Sequence, residues 1–273
     1  MSELPFPPQV WQPTRLLRVI ESYDTSMGTT KIKTDATFAY IKTLGNRQGP
    51  HALASEFVGT LLAKWFGLTV ADFAILPLAP DACFNLPRNN RSQPGPAFVS
   101  RHVPGRTWQG SETELRDLEN LGDITRLVVF DTWVRNCDRH PPDLTERKPN
   151  YANVYLADTD RPGRSHLVAI DHTHCFDRSA ELTPRLSTID KIRDDGTYGL
   201  FPGFVPFVDP GELAWCKSLL RSLTRNLVDA IIAQIPAEWA VDRNAAAALA
   251  SLIYGRAGFV ADRIDKGWPA PKP

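Results

Sequence analysis

The clearest pattern of apolar and polar positions lies between residues 51 and 68. Leucine, phenylalanine and tryptophan recur there every three or four positions, and Gly67 stands at the end of the pattern. This spacing predicts a helix with one apolar face and a glycine stop at its C-terminal end. Around it, runs rich in apolar, aromatic and β-branched residues predict strands. These runs lie at residues 15–23, 37–41, 70–77 and 97–99.

A bend at Pro104 and Gly105 separates this strand-rich part from one in which helical patterns dominate. Helices are predicted at residues 112–121, 124–134, 212–235 and 243–266, and a short strand pair at 154–156 and 166–170. We therefore predict an α+β chain. Its predicted parts are an extended N-terminal arm at residues 1–13, a small β-rich lobe at 14–103 and a larger helical lobe at 104–273.

Composition narrows the class of protein. With 42% hydrophobic residues the chain can bury a core, which excludes global disorder. Its 31 basic and 31 acidic residues balance, so there is no electrostatic reason to predict direct binding of nucleic acid or of a membrane. The four cysteines lack C-x-x-C spacing and indicate reduced thiols. With no signal-peptide pattern and no apolar run of membrane length, we predict a cytoplasmic protein.

Three polar residues stand at the ends of apolar patterns in the second half of the chain. Asp138 comes just after the helix pattern at 124–134, Asn153 opens a strand pattern, and Asp171 closes the next one. Phosphoryl transfer from ATP needs such a set. One carboxylate orients or deprotonates the attacking hydroxyl, while an amide and a second carboxylate hold the magnesium ions that neutralise the phosphates.

The segments around these residues resemble the HipA-like kinases, a bacterial branch of the protein-kinase-like superfamily. The resemblance covers residues 15–180 best. It rests on five runs: Asn136-Cys137-Asp138-Arg139-His140, Asn153-Val154-Tyr155-Leu156, Ala169-Ile170-Asp171-His172, Tyr40-Ile41-Lys42 and Ser55-Glu56-Phe57. The resemblance implies a bilobal protein-kinase-like fold that binds ATP and Mg²⁺ in the cleft between its lobes.

The resemblance also implies roles for individual residues. Asp138 is expected to act on the acceptor hydroxyl, with Arg139 and His140 beside it in the catalytic group. These two are expected to hold the loop by hydrogen bonds, and a contact of Arg139 with a phosphate is the alternative. Asn153 and Asp171 are the expected ligands of Mg²⁺.

The second metal ligand has two rivals. In protein kinases the asparagine follows the catalytic aspartate by about five residues, whereas Asn153 follows Asp138 by 15. Asp143 stands at the usual spacing, and Asn150 is the other rival. We prefer Asn153 because a strand pattern follows it directly, which makes residues 141–151 an insertion.

The nucleotide site is predicted in the first half of the chain. Lys42 is the expected partner of the α- and β-phosphates, and Glu56 is its expected ion-pair partner; Lys31 and Lys33 compete with Lys42. Residues 24–30 occupy the place of a phosphate-covering loop. Ser26, Gly28 and Thr29 are predicted to contribute to this loop. Phe98, Val99 and Ser100 are predicted to present backbone groups to adenine.

These expectations lead to a predicted function. The chain is expected to transfer the γ-phosphoryl group of ATP to a hydroxyl, with Ser or Thr of a protein as the acceptor. The resemblance also implies membership of a toxin–antitoxin pair with an antitoxin-like partner. The alternatives are a lipid or small-molecule kinase of the same fold, since type II phosphatidylinositol kinases are distant relatives, and a nucleotide-binding pseudokinase or scaffold without turnover.

Overall fold

The computed structural model describes residues 11–178, 181–266 and 268. The predicted extended arm at residues 1–13 therefore lies almost wholly outside the described residues. All four cysteines are free thiols. Among the described residues, the model contains no helix that is long and apolar enough to cross a membrane.

The N-terminal part contains an antiparallel sheet of five strands: β1 (Leu16–Ser22), β2 (Thr30–Thr34), β3 (Phe38–Lys42), β4 (Phe73–Leu78) and β7 (Gly95–Arg101). Their order in the sheet is β1-β2-β3-β7-β4. A small hairpin of β5 (Asn85–Leu86) and β6 (Asn90–Arg91) precedes β7, in a segment that the sequence predicts to be a loop.

Strand β2 is absent from the sequence prediction. It buries Thr30, Ile32 and Thr34 and turns Lys31 and Lys33 outward. Because only one of the five residues is apolar, the alternation that marks a strand is hidden. Lys33 packs over the ring of Phe38 on the outer face, with its Nζ 4.6 Å from the ring centroid.

The helix predicted at 51–68 is α1 (Pro50–Trp65), which packs under the sheet. Thirteen of its sixteen residues are buried, so it is covered on nearly all sides. Pro50 fits the first turn, where its missing N–H costs nothing, and Gly67 follows with a φ of 73°. Helix α1 therefore forms the centre of the core and not a surface helix with one solvent face.

The C-terminal part is helical apart from a second sheet. Strands β8 (Gly105–Thr107), β9 (Val154–Asp158) and β10 (Ser165–Ala169) form that sheet in the order β10-β9-β8. The helices are α2 (Glu112–Arg116), α3 (Gly122–Val134), α4 (Cys175–Arg178), α5 (Ile189–Ile192), α6 (Pro210–Ser222), α7 (Arg225–Ile232) and α8 (Arg243–Asp265).

The single helix predicted at 212–235 is in fact two helices, α6 and α7. Leu223 has an extended backbone, and the side chain of Thr224 accepts a hydrogen bond from the N–H of Leu227. That bond caps a new helix, so the pattern of apolar residues continues across a break in the backbone.

The two parts share one core. Trp239, fully buried, donates its indole N–H to the carbonyl of Pro96 at the start of β7, 2.9 Å away. Buried Arg256 of α8 donates to the carbonyls of Trp133, 2.8 Å away, and Asp194, 3.1 Å away. The first bond ties the C-terminal part to the sheet. The second holds the end of α3 against the segment that precedes α6.

Candidate active site

A cleft lies between the five-stranded sheet and the second sheet. Its upper wall contains Tyr40 and Phe98, and its lower wall contains Tyr155, Val168 and Ile170. Lys42 and Asp171 also face it. The cleft therefore offers apolar walls for a flat ring and a charged group for a polar substituent, which is the usual composition of a ligand site.

Lys42, at the end of β3, is the centre of the charged group. Its Nζ lies 2.9 Å from Glu56 Oε2 of α1 and 3.1 Å from Asp171 Oδ1. It also donates to Thr173 Oγ1, 3.1 Å away. Burial opposes the charge on Lys42, but the two carboxylates outweigh that effect and raise its pKa. Lys42 is therefore a fixed cation inside the cleft.

Glu56 also fixes the chain beside Asp171. Its Oε2 accepts hydrogen bonds from the N–H of His172, 2.9 Å away, and from Thr173 Oγ1, 2.8 Å away. Asp171 itself has a φ of 55°, a left-handed conformation that is uncommon for a residue with a side chain. Such backbone at a ligand cleft is a mark of functional sites.

The carboxylate of Asp171 is held ready in its ionised form. Burial would raise its pKa, but Lys42 and then His174 lower it well below the usual range of an aspartate. One third of the side chain remains exposed. Asp171 therefore presents a negative oxygen to the cleft, as a ligand of a hard cation must.

Asp138 lies at the end of α3, where the helix is stopped by Arg135 in the left-handed conformation, φ 56°. Asn136 then donates to Asp131 Oδ1, 3.1 Å away, and accepts from the N–H of Asp138, 3.2 Å away. These bonds turn the chain so that the Asp138 side chain, 9% exposed, meets Asn153. Asn153 Nδ2 donates to Asp138 Oδ2 at 2.6 Å.

The rivals of Asn153 are placed differently. Asp143 is exposed, and its carboxylate accepts from the N–H and hydroxyl of Thr145 in a local turn. Asn150 caps the turn that leads into β9 by accepting from the N–H of Ala152, and its Nδ2 lies 3.5 Å from Asp138 Oδ2. Of the three, Asn153 is the one with a short bond to Asp138.

Arg139 is fully buried behind the loop. Its Nε donates to Asp131 Oδ2 at 2.7 Å, its Nη1 donates to the carbonyl of Asn153, and its Nη2 donates to the carbonyl of Ile170 at 3.1 Å. These donors face the protein interior, which does not support the alternative in which Arg139 touches a phosphate. Its guanidinium instead links the chain at Asn153 to the residue before Asp171.

His140 also has a packing role in this structure. Its ring meets Phe201 edge to face, with centroids 5.1 Å apart, and its carbonyl accepts from the N–H of Gly199, 2.8 Å away. Burial lowers its pKa. The bond and the ring contact hold the loop against the segment that precedes α6.

Arg147 is the residue near Asp138 that the sequence does not single out. It lies in the inserted segment at 141–151, and its Nη2 donates to Asp138 Oδ1. Its Nη1 lies 3.1 Å from His174 Nδ1. The segment has no periodic pattern of apolar residues, so the sequence offers only the charge of Arg147 as a signal.

The predicted phosphate-covering loop reaches the cleft at one position. Thr29 lines the cleft, whereas Ser26 and Gly28 line a separate small depression beside Leu86 and Pro87. Gly28 has a φ of 61°, and a Cβ there would lie 3.3 Å from Leu86 Cδ2. The placement of Ser26 and Gly28 does not support their predicted phosphate contact, because the turn folds against the β5–β6 hairpin.

The predicted adenine segment needs a similar correction. Strand β7 lies between β3 and β4, and Val99 pairs with Ile41 on one side and Ala74 on the other. The backbone of Val99 is therefore paired within the sheet on both sides, and its side chain is fully buried. Phe98 and Ser100 do line the cleft, and so does Val103 beyond the strand.

A strand-rich part and a helical part with a cleft between their sheets are the architecture of the protein-kinase-like class. Residues 31–258 match the sequence model of the family described as HipA-like kinase. The chain therefore belongs to the HipA-like kinase family, and the resemblance noted from its motifs is confirmed. A comparison with curated protein sequences gives no match.

One solved structure with a TM-score above 0.5 shows the same fold, and two others match with lower scores. The Helicobacter pylori proinflammatory kinase CtkA superposes with a TM-score of 0.59 at 11% identity, over 94% of this chain and 98% of that chain. The kinase domain of Mycobacterium tuberculosis PknI gives 0.28 at 12%, over 92% and 94%. HipA from the Shewanella oneidensis MR-1 complex with HipB and operator DNA gives 0.32 at 14%, over 95% and 70%. The predicted protein-kinase-like α+β fold is confirmed.

Proposed function

We propose that the protein is an ATP- and Mg²⁺-dependent kinase that transfers the γ-phosphoryl group to a Ser or Thr hydroxyl of a protein. One observation carries this proposal. Lys42 Nζ lies between Glu56 and Asp171, 2.9 and 3.1 Å from their carboxylates. In protein kinases this ion pair and the metal-binding aspartate must both be in place for transfer.

The adenine ring is assigned to the apolar end of the cleft, between Phe98 above and Val168 and Ile170 below. Val103, just beyond β7, lines the same cleft. Within the described part of the chain, its N–H has no hydrogen-bond partner, while its carbonyl accepts from the hydroxyl of Tyr155 at 2.8 Å. We assign the Val103 N–H to a ring nitrogen of adenine, in place of the predicted backbone at 98–100.

The phosphates and Mg²⁺ fit the charged group. Lys42 is assigned to the α- and β-phosphates. Asp171 offers a carboxylate oxygen. Asn153 donates through its side-chain Nδ2 to Asp138, which leaves its side-chain Oδ1 for a cation. Magnesium prefers such hard oxygen ligands and keeps several waters, so two protein oxygens with phosphate oxygens suffice. Bound there, Mg²⁺ would neutralise charge on the phosphates.

Asp138 is assigned to the acceptor. The hydroxyl oxygen forms a bond to the γ-phosphorus while the bond from that phosphorus to the bridging oxygen of ADP breaks, and the hydroxyl proton passes to Asp138. Arg139 and His140 act through the loop, by holding its backbone, and touch neither reactant. In this proposal the boundary between the two lobes falls at residues 103 and 104.

One observation favours the alternative of a nucleotide-binding protein without turnover. Arg147 forms an ion pair with the carboxylate that would accept the proton. The protein acceptor and an antitoxin-like partner rest on the family, and the cytoplasmic location rests on the sequence pattern. All three remain predictions.

The test uses purified protein with ATP labelled on the γ-phosphate, in Mg²⁺ or in EDTA, alone and with a lysate of its own host. We expect Mg²⁺-dependent incorporation into a protein, and loss of at least two powers of ten in Asp171→Asn. Asp143→Asn is the matched control, because that carboxylate lies in an exposed turn. Binding of Mg-ATP with no transfer to any protein would favour the alternative. Transfer by Asp171→Asn at the wild-type rate would exclude the assigned metal site.

A further inference from the structure

The side chains assigned so far place no cation at the acceptor side of the γ-phosphoryl group. Lys42 is held by Glu56 and Asp171, and Arg139 is buried with its donors turned inward. The turn at 24–30 brings Thr29 to the cleft but not Gly28. In addition to Mg²⁺, a cation at the acceptor side would stabilise the charge on the transferred group.

Arg147 stands at that position. In the described ranges, the positively charged or titratable basic groups within 4 Å of the Asp138 carboxylate are Arg147 and His174. Of the charged residues in the segment at 141–150, Arg147 alone turns inward, whereas Asp143, Glu146 and Lys148 are exposed. The Arg147 side chain is about two-thirds buried, so its charge acts at reduced solvent screening.

The segment that carries Arg147 has no regular secondary structure. Its C-terminal end is anchored by the bond from Asn150 N–H to the carbonyl of Arg139, 2.8 Å long. The long arginine side chain can therefore change partner while the loop ends stay in place. A phosphate carries more charge than a carboxylate and matches the planar fork of a guanidinium as well.

We propose that Arg147 is a further catalytic residue, which leaves Asp138 and binds the γ-phosphoryl group when Mg-ATP occupies the cleft. The exchange has two effects on the transfer step. It places a cation on oxygens that carry negative charge in the transition state, and it frees the Asp138 carboxylate to take the hydroxyl proton. This inference rests on the proposed function, because it requires ATP in the cleft.

The test compares Arg147→Ala and Arg147→Lys with wild type, and Lys148→Ala is the matched control from the same loop. Calorimetric titrations use a non-hydrolysable ATP analogue and ADP, each with Mg²⁺. We expect Arg147→Ala to lose about ten- to a hundredfold in affinity for the analogue and less than about twofold for ADP, which lacks the γ-phosphate. Arg147→Lys should recover part of the loss. Lys148→Ala should change neither affinity.

Turnover gives the second measurement. Arg147→Ala should lower kcat by about a hundredfold or more, since a cation on the transferred group commonly has effects of that size. Thermal unfolding of each variant shows whether it is folded. Three results with a folded Arg147→Ala protein would overturn the proposal. They are wild-type affinity for the analogue, an equal loss of affinity for the analogue and for ADP, and faster phosphate transfer. The last result would make Arg147 a block on Asp138.

Failure of the proposed function has a different signature. Wild-type protein that binds neither nucleotide would overturn the kinase assignment and this inference together. If the wild-type protein transfers phosphate and Arg147→Ala has the same nucleotide affinities and kcat, only the role of Arg147 is overturned.

Discussion

Arg139 and Asp131 form an ion pair in which both side chains are fully buried, with Nε 2.7 Å from Oδ2. Burial raises the pKa of Asp131, and Arg139 is the main group opposing that effect. The same guanidinium reaches the backbone of Asn153 and Ile170. One side chain therefore connects the end of α3, the predicted amide ligand and the strand that leads to Asp171.

Removing Arg139 should destabilise the protein before it affects any chemical step. Arg139→Met leaves Asp131 buried without its cation and two carbonyls without donors. Loss of one partner of a buried pair costs about 3–5 kcal/mol in unfolding free energy. Urea unfolding measures it, with Arg225→Met as control. The exposed pair of Arg225 with Asp229 should contribute less than about 1 kcal/mol. Equal losses in the two variants would show that Arg139 has no special structural role.

Lys42 should be the lysine that nucleotide binding needs. Lys42→Ala removes the cation assigned to the α- and β-phosphates and leaves two carboxylates facing them. Calorimetric titration with Mg²⁺ and a non-hydrolysable ATP analogue should show a loss of about tenfold or more. Lys31→Ala and Lys33→Ala should bind as wild type does, because both side chains lie on the outer part of β2 near Phe38. Similar affinities in all three variants would contradict the assignment.

The sequence predicted the residues that end regular patterns. Asp138 follows an apolar helix and Asp171 follows an apolar strand, so the period of the preceding residues marked both. Arg147 belongs to a segment without a period, and its contact with Asp138 depends on how that segment folds back. Glu56 was predicted to pair with Lys42, but its bonds to His172 and Thr173 were not, because they join residues more than a hundred positions apart.

The errors in the fold have similar causes. Strand β2 was missed because two lysines flank its one apolar residue, Ile32. The break between α6 and α7 was missed because the apolar spacing continues through Thr224, whose side chain caps the second helix. The strand pairing that occupies the backbone of Val99 depends on which strands become neighbours in the sheet. Local patterns predict elements well, but they do not predict the order of strands in a sheet.

His172 should make stability fall in mild acid. It is 1% exposed, meets Phe130 edge to face, and burial lowers its pKa to about 3. Between its usual pKa of about 6.5 and 3, the unfolded chain binds a proton that the folded chain refuses, so stability falls as pH falls. The slope from this group is at most about 1.4 kcal/mol per pH unit.

Urea unfolding between pH 4 and 7 in EDTA measures this slope. In His172→Asn an amide atom can replace Nδ1 near Thr60 Oγ1, which lies 3.2 Å from it. The variant should be less stable at pH 7 but should show a flatter dependence on pH. His166→Asn is the control, since that ring is about half exposed. A slope in His172→Asn as steep as in wild type would mean that other groups cause the acid sensitivity.

Asp138 should matter for transfer and not for nucleotide binding. The carboxylate is assigned to the acceptor hydroxyl, an interaction that is strongest in the transition state. Asp138→Ala should therefore remove transfer while the affinity for Mg-ATP stays within a few-fold of wild type. In this variant Arg147 does not have to break an ion pair with Asp138 before it binds the γ-phosphoryl group. The affinity for Mg-ATP should therefore not fall. Two measurements on one preparation suffice: thermal shift with Mg-ATP, and phosphate incorporation into protein. Lower stability together with lower affinity would instead identify Asp138 as a structural carboxylate.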